Sequence, residues 1–353
     1  MDLDACQDMA VGLVMELIGI PSLSREEEKA ADLLQLFLEK HGQKVRRKHQ
    51  NVWAVHHLSE GRPNILLNSH LDTVKPVAGW EREPFVARVE GNRIYGLGSN
   101  DAGGPLAALL ACFLHYAGRQ DLPYNLVFAA TAEEEISGDK GVVSILHELG
   151  KVDLGIIGEP TMNQMAVAEK GLMVIDGTAH GSSAHAATGG GSNAIYEAMR
   201  DIEWLSGYRL ERISEWLGEV SMQVTMINGG TQHNVVPDQC HWVADIRTNE
   251  KYSNEEIFEV IRQHVKGEVR ARSFRLNPSF ISTEHPVVRR GTSMGLECYG
   301  SLTLSDQALM SFPTLKIGPG DSKRSHTADE YICMDEIRQG ISHYIELLNG
   351  LEI

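Results

Sequence analysis

Residues 66–74 read LLNSHLDTV, and their pattern decides the fold class. The apolar run 65–67 is short, and polar residues bound it. Such a run predicts a strand buried on both faces. Two more runs of this kind follow, at 126–130 and 154–157. Between them, the stretch 104–116 is long and apolar enough for a buried helix. Strands alternating with helices predict an α/β architecture with much parallel pairing. Each short run leads straight into residues that carry chemistry. His70 and Asp72 follow the first. Glu133, Glu134 and Glu135 follow the second, in VFAATAEEEISG, and Glu159 follows the third, in GIIGEPT. Asp101 lies in GLGSNDAGG, a Gly-rich loop entering the 104–116 helix. In open α/β sheets, ligands bind beyond the carboxyl ends of the strands. These loops are therefore expected to open on one rim.

Working outward, Ser24 and Glu27 have the spacing of a capping box. They precede an amphipathic run with Ala30, Leu33, Leu34, Phe37 and Leu38. From about residue 170 the texture changes. A strand is expected at 172–176 and a helix at 193–205. Met222, Val224 and Met226 then alternate with Ser221, Gln223 and Thr225, as in a half-buried strand. A further strand at 240–246 precedes a helix capped by Ser253 and Glu256 that runs to about Val265. That order predicts a small open-faced α+β domain of ferredoxin-like type, inserted into the first. The expected division is 1–169 with 277–353 for the outer domain, and 170–276 for the insertion. The chain should end in a helix at 335–348.

Composition narrows the function. A length of 353 residues suits two domains, and 42% hydrophobic residues can build a real core. With 32 Lys+Arg against 48 Asp+Glu, the net charge is −16. That excess argues against nucleic acid or an anionic membrane as a partner. The N-terminus, MDLDACQDMA, has no basic region of the secretory kind. The longest apolar run, 106–114, is far short of the roughly 20 residues a membrane helix needs. Cys6, Cys112, Cys240, Cys298 and Cys333 form no CxxC pair and fit free thiols of a cytoplasmic protein.

Taken singly, each chemical residue has a plain alternative reading. Asp101 could cap a helix, three glutamates could be a solvated turn, and His326 could be a surface histidine. Their coincidence at successive strand ends favours metal chemistry. Zinc accepts imidazole nitrogen and carboxylate oxygen. A two-metal site needs a bridging carboxylate, and a further, uncoordinated carboxylate must take the water's proton.

The motifs also occur in a familiar order. HLD lies at 70–72, GLGSNDAGG at 96–104, EEE at 133–135 and GEP at 158–160. SAHAA follows at 183–187, NGGTQHNVVPD at 228–238, DIR at 245–247 and SHTADEY at 325–331. This set resembles the M20 metallopeptidase and deacylase family, which includes acetylornithine deacetylase, succinyl-diaminopimelate desuccinylase and related carboxypeptidases. SNDAGG and GPGDSKRSHTADE look most like the acetylornithine and acylcitrulline deacetylase branch. The resemblance implies a zinc-exopeptidase-like catalytic domain with a mixed, largely parallel sheet, plus a lid and dimerisation domain. It assigns His70 and Glu159 to one metal, Glu135 and His326 to the other, and Asp101 to both. Asp72 would hold the ring of His70, and Glu134 would be the general base. Reading the functional pair as Glu133–Glu134 is the alternative register. His185 would reach the active site of the partner subunit of a homodimer and stabilise the oxyanion. Asn234 and Arg247 would contact substrate, although a strand-end salt bridge also accounts for Arg247. His180 and His233 fall outside the motif's functional places; Lys323 and Arg324 would add charge near the substrate, with a surface loop as the alternative reading. Where many relatives carry Met-Lys after the bridging aspartate, this chain has Ala102 and Gly103.

The resemblance implies two divalent ions, with zinc expected and cobalt or manganese also suited to such donors. The implied activity is hydrolysis of an N-acyl-L-amino acid, with N-acetyl-L-ornithine or an N-acetyl- or N-succinyl-citrulline of arginine biosynthesis in first place. A dipeptidase or carboxypeptidase would use the same chemistry. A non-catalytic dimeric binding protein would lack a ligand or the base, and none is missing.

Overall fold

The computed structural model describes residues 2–353. The chain divides into two compact units. The larger runs to Val167 and resumes at Phe280–Tyr299 and Ser305–Ile353. The smaller comprises Ala168–Ser279 and Gly300–Leu304.

The larger unit is built on a mixed sheet. Its strands lie in the order Val45–Lys48, Asn51–His56, Asn125–Thr131, Asn64–His70, Leu154–Ile157, Thr314–Lys316, Met165–Glu169. Asn64–His70 runs parallel to Asn125–Thr131 and to Leu154–Ile157, and the latter runs parallel to Thr314–Lys316. Asn51–His56 joins antiparallel at one side. All seven residues of Asn125–Thr131 are buried, which is why that stretch reads as continuously apolar. The register pairs His70 with Thr131, so two chemistry-bearing loops leave the sheet side by side.

Helix Gly104–Tyr116 buries every residue except His115. It packs against the strand Asn64–His70 and between helices Leu3–Ile18 and Met334–Leu348. Each Leu or Phe fully buried there contributes about 1.5–3 kcal/mol. Tyr116 and Tyr124 anchor the last helix by donating to the carbonyls of Ile345 (2.6 Å) and Leu348 (2.7 Å). Elsewhere Trp53, Leu66, Val127, Ile145 and Leu149 form a separate cluster. Among the described residues, no helix is long and apolar enough to cross a membrane, and all five cysteines are free.

One local expectation fails. Helix Glu28–Lys40 starts without a side-chain cap. Ser24 donates instead to Asp72 Oδ2 (2.7 Å), and Glu27 Oε1 accepts the N–H groups of Arg25 (2.7 Å) and Glu133 (3.1 Å). Tertiary partners thus take both capping residues. At the other end of the motif, Gly103 is held by close approach: a Cβ there would lie 2.5 Å from the carbonyl oxygen of Gly98. That leaves no room for a side chain at this position.

The smaller unit has the order strand Gly171–His180, helix Ala194–Gly207, strands Ser221–Gly229 and Gln239–Thr248, helix Asn254–His264, strand Glu268–Ala271. The four strands form an antiparallel sheet in the order Ser221–Gly229, Gln239–Thr248, Gly171–His180, Glu268–Ala271. This is a ferredoxin-like arrangement. Met173, Ile175, Trp242, Ala244 and Ile246 pack with Ala198, Leu205, Ile257 and Ile261 of the two helices. The Ser253–Glu256 capping box forms as the sequence predicts. The alternation at Ser221–Gly229 does not persist. Its register shifts between Val224 and Met226, leaving Met226 and Ile227 64% and 56% exposed on an edge strand.

Candidate metal centre

His70 ends a strand and is 1% exposed. Its Nδ1 lies 3.0 Å from the carbonyl of Asp72 and 3.4 Å from that residue's carboxylate. With Nδ1 held by that carbonyl, Nε2 becomes the lone-pair donor once a cation displaces its proton; until then, against the effect of burial, Glu134, Asp101, Asp72 and Glu159 hold the ring well above the ordinary imidazole range. Nε2 lies 3.1 Å from Asp101 Oδ1 and 3.9 Å from Glu159 Oε1. The carboxylate of Asp72 is otherwise engaged. It accepts the N–H groups of Glu134 (3.1 Å) and Glu135 (3.2 Å) as well as the Ser24 hydroxyl. Asp72 therefore fixes the glutamate loop as well as the histidine.

Two donor groups result. His70, Asp101 and Glu159 each offer one atom within 4.8 Å of the others, and so do Asp101, Glu135 and His326. Asp101 belongs to both. Its Oδ2 lies 3.7 Å from His326 Nε2, which is 2.9 Å from Glu135 Oε2. Glu134 stands in neither group, but its Oε2 is 3.9 Å from His70 Nε2. Glu133 turns away on a left-handed backbone (φ 55°), and its Oε2 accepts the N–H of Lys140 at 3.2 Å.

The electrostatics of this cluster are unbalanced. Asp101, Glu134, Glu135 and Glu159 face only two imidazoles. Burial pushes Glu134 well above the ordinary carboxylate range; Glu159, Asp306 and Glu135 add to this and His70 opposes it. Burial also raises Glu135, against the hydrogen bond from His326. For Asp101, burial is outweighed by His70, Ser325 and His326, and its pKa falls. The hydrogen bond with Glu135 lifts His326 to about 9. A nitrogen-and-carboxylate donor set with surplus negative charge is what divalent cations of the zinc type require. The residues present fit two such ions, with Asp101 between them.

In the smaller unit, Ala184–His185 pairs with Val235–Val236, and Ala186 N–H donates to the carbonyl of Asn234 (2.9 Å). The fold thus brings His185 and Asn234 together. His185 Nδ1 accepts the N–H of Ala187 (3.1 Å), so the ring proton resides on Nε2, available as a donor. Arg247 is forked onto Asp245 (2.8 and 3.2 Å), the salt bridge anticipated as its alternative. His180 and His233 are exposed, His180 lying 3.6 Å from Glu268. Arg324, in the larger unit, is bound to Glu336 (2.7 and 2.9 Å) and stacks on Tyr331. Its guanidinium is thus already engaged, whereas Lys323 is exposed.

Sequence reasoning gave no role to Glu330 or Asp306, and it assigned Ser24 and Glu27 elsewhere. The position of Glu330, four residues after His326 in SHTADEY, was the available signal.

A mixed α/β sheet with two carboxylate–imidazole groups at its strand ends defines a dinuclear metallohydrolase class. Residues 66–350 match the Peptidase family M20/M25/M40, and the chain belongs to that family. A succinyl-diaminopimelate desuccinylase of Gluconobacter oxydans is 30% identical over 231 residues, 61% of this chain and 60% of that protein. The chain therefore spans less than two thirds of that relative. A [LysW]-lysine/[LysW]-ornithine hydrolase of Sulfurisphaera tokodaii is 27% identical, covering 96% of this chain and 94% of the other. Among solved structures, a dinuclear metal binding M20 peptidase of Bacillus subtilis superposes with a TM-score of 0.77 at 16% identity, covering 99% and 100% of the two chains.

Proposed function

We propose that this metal-dependent M20 hydrolase cleaves the amide bond of an N-acyl-L-amino acid with a basic or diamino side chain. The observation that carries the reading is one shared aspartate, Asp101, common to two donor groups, with Glu134 in neither and 3.9 Å from His70. In this reading His70 and Glu159 hold one ion, Glu135 and His326 the other. Bound there, the ions would supply Lewis acidity to the scissile carbonyl and acidify the attacking water.

The chain's own residues do the rest. Glu134, outside both donor groups, removes the water's proton and passes it to the leaving amine. Asp72 keeps Glu134 in place through its N–H and holds the His70 ring. His185, entering from a partner subunit through a lid-like smaller unit, donates Nε2–H to the developing oxyanion. Asn234 lies beside it to contact substrate. Arg247 binds a substrate carboxylate by sharing or leaving Asp245, since its planar fork matches either.

The relatives described above carry names that concern succinyl-diaminopimelate and LysW-linked lysine or ornithine. They widen the expected substrate from N-acetyl-L-ornithine of arginine biosynthesis to acylated diamino acids generally. The test is a hydrolysis panel on the zinc-loaded protein. It compares N-acetylornithine, N-acetylcitrulline, N-succinylcitrulline and N-succinyl-diaminopimelate with dipeptides. Preference for N-acetylornithine or N-succinyl-diaminopimelate supports the reading, and preference for an acylcitrulline keeps the deacylase but overturns the basic or diamino side chain. Preference for dipeptides selects the peptidase alternative, and full metal loading without turnover selects a binding protein.

A further inference from the structure

Glu330 belongs to neither donor group, yet its carboxylate is buried against the loop that carries Asp101. The residue is 2% exposed. Its Oε1 accepts the backbone N–H groups of Asn100 (2.8 Å) and Asp101 (3.0 Å). Its Oε2 accepts that of Gly98 (3.2 Å), and its own carbonyl accepts that of Gly96 (3.0 Å). Four N–H groups within six residues therefore end on one residue. They lie ahead of, or in the first positions of, the short π-turn Ser99–Gly103, where a helix offers its N–H groups no internal partner. Gly98 is left-handed (φ 74°), and Asp101 sits at φ −122°, ψ 97°. Buried backbone donors need partners, and a buried carboxylate needs donors. Here each meets the need of the other.

The same loop is tied a second time. Asn100 donates to the Asp321 carbonyl (3.1 Å) and the Ser325 hydroxyl (3.2 Å), and accepts the N–H of Asp321 (3.0 Å). Those partners immediately precede His326. The loop of Asp101 and the loop of His326 are thus fastened into one piece, with Glu330 as its buried clasp. The carboxylate of Asp101 itself faces His70 and His326 and is hydrogen-bonded by Ser325, a member of the same fastened pair of loops.

We infer that Glu330 is a positioning residue for the shared ligand: by fixing the Gly98–Asp101 backbone it aims Asp101 at both donor groups at once, and so sets the affinity for both ions together. The inference rests on the metal centre proposed above. It has a signature that a merely structural residue lacks. Because both groups use the same carboxylate, displacing Asp101 weakens both ions. Losing His326 weakens mainly the ion held by Glu135 and His326.

Zinc is titrated into the metal-free, full-length protein against a competing chelator, which resolves two binding steps. Glu330→Ala is expected to weaken both steps by about 10–100-fold, the usual cost of removing a group that orients a metal ligand. Glu330→Gln keeps one oxygen for Asn100 and Asp101 but opposes an amide to Gly98, so a smaller loss in both steps, about threefold or more, is expected. His326→Ala should move one step far more than the other. Asp329→Asn is the control. Asp329 adjoins Glu330 and also accepts two N–H groups, those of Glu81 (3.2 Å) and Arg82 (3.0 Å), but in a loop without a donor. It should leave both steps within about twofold. If Glu330→Ala does not fold, the isosteric Gln variant decides alone. Folded Glu330 variants that bind both ions as the unchanged protein does, or that lose only one step, overturn the inference. Failure of the unchanged protein to bind zinc would overturn the metal-centre reading itself, and this inference with it.

Discussion

The larger unit buries most of its chemistry, with His326 the exposed exception, whereas the smaller unit displays its own. Around Asp101, the carboxylates of Asp72 and Glu330 and the ring of His70 are at most 2% exposed, and backbone N–H groups fix their geometry. In the smaller unit, His185 and Asn234 are exposed, and Arg247 is partly so. Their contacts are local, to Ala187, Ala186 and Asp245. The contrast follows from what each set must do. Groups that hold cations need a preorganised, low-dielectric setting in which a charge is worth more. Groups that meet a substrate or another subunit must stay accessible until it arrives. The larger unit is therefore expected to answer substitution with lost metal or lost chemistry, and the smaller with lost substrate handling.

The largest effect is expected at Glu134. Glu134→Ala should cut kcat by about 10²–10⁴-fold while elemental analysis finds the metal content unchanged. Activity surviving within about tenfold would remove Glu134 from the general-base role. Next, His326→Ala should lower metal occupancy and, with it, turnover; unaltered occupancy would break the second donor group.

His185→Ala should lower kcat by about 10²–10³-fold without touching metal content. Mixed with Glu134→Ala protein, it should regain activity, because a hybrid dimer holds one intact site with a partner's His185. A protein that is monomeric by solution mass, or a mixture that stays inactive, would confine His185 to its own subunit. A pH effect should be visible in metal binding. His326 is raised to about 9, so it is protonated at pH 7 when no cation is present. Binding requires the neutral ring, so His326 should contribute a proton to zinc uptake at pH 7 and less of one as the pH approaches 9, in addition to those of His70, Glu134 and Glu135, which are also raised without a cation. Calorimetry in two buffers of different ionisation enthalpy measures the number of protons released.

The smallest effect is expected at Arg247. Its pair with Asp245 is partly exposed, so Arg247→Ala should cost under about 1 kcal/mol of stability. A rise in KM at nearly constant kcat would mark it as a substrate contact. No change in KM would leave only the salt bridge.

The central strands, the helix Gly104–Tyr116 and the order of the second unit were legible because they are local patterns. Continuous apolar runs, a long buried run and a capping box at Ser253 are written within a few residues of each other. The metal set was legible in part for the same reason, since its members stand at the ends of those runs. The Ser24–Glu27 box misled because its spacing is also local, while the partners that claimed it, Asp72 and Glu133, are far away in sequence. Met226 misled because a one-residue register shift reverses which face a strand residue takes.

By itself, then, LLNSHLDTV with its companion runs determined a buried parallel sheet and placed histidine and carboxylates at its edge. The family resemblance supplied an expected division of roles, and tertiary structure supplied the geometry. It turned Glu133 away and left Glu134 close to His70. It also folded Glu330 back 229 residues to grip the N–H of Asp101. Hydrophobic periodicity is encoded by neighbours, but the partner of a buried charge is chosen by desolvation and hydrogen-bond geometry, which exist only once distant loops have met.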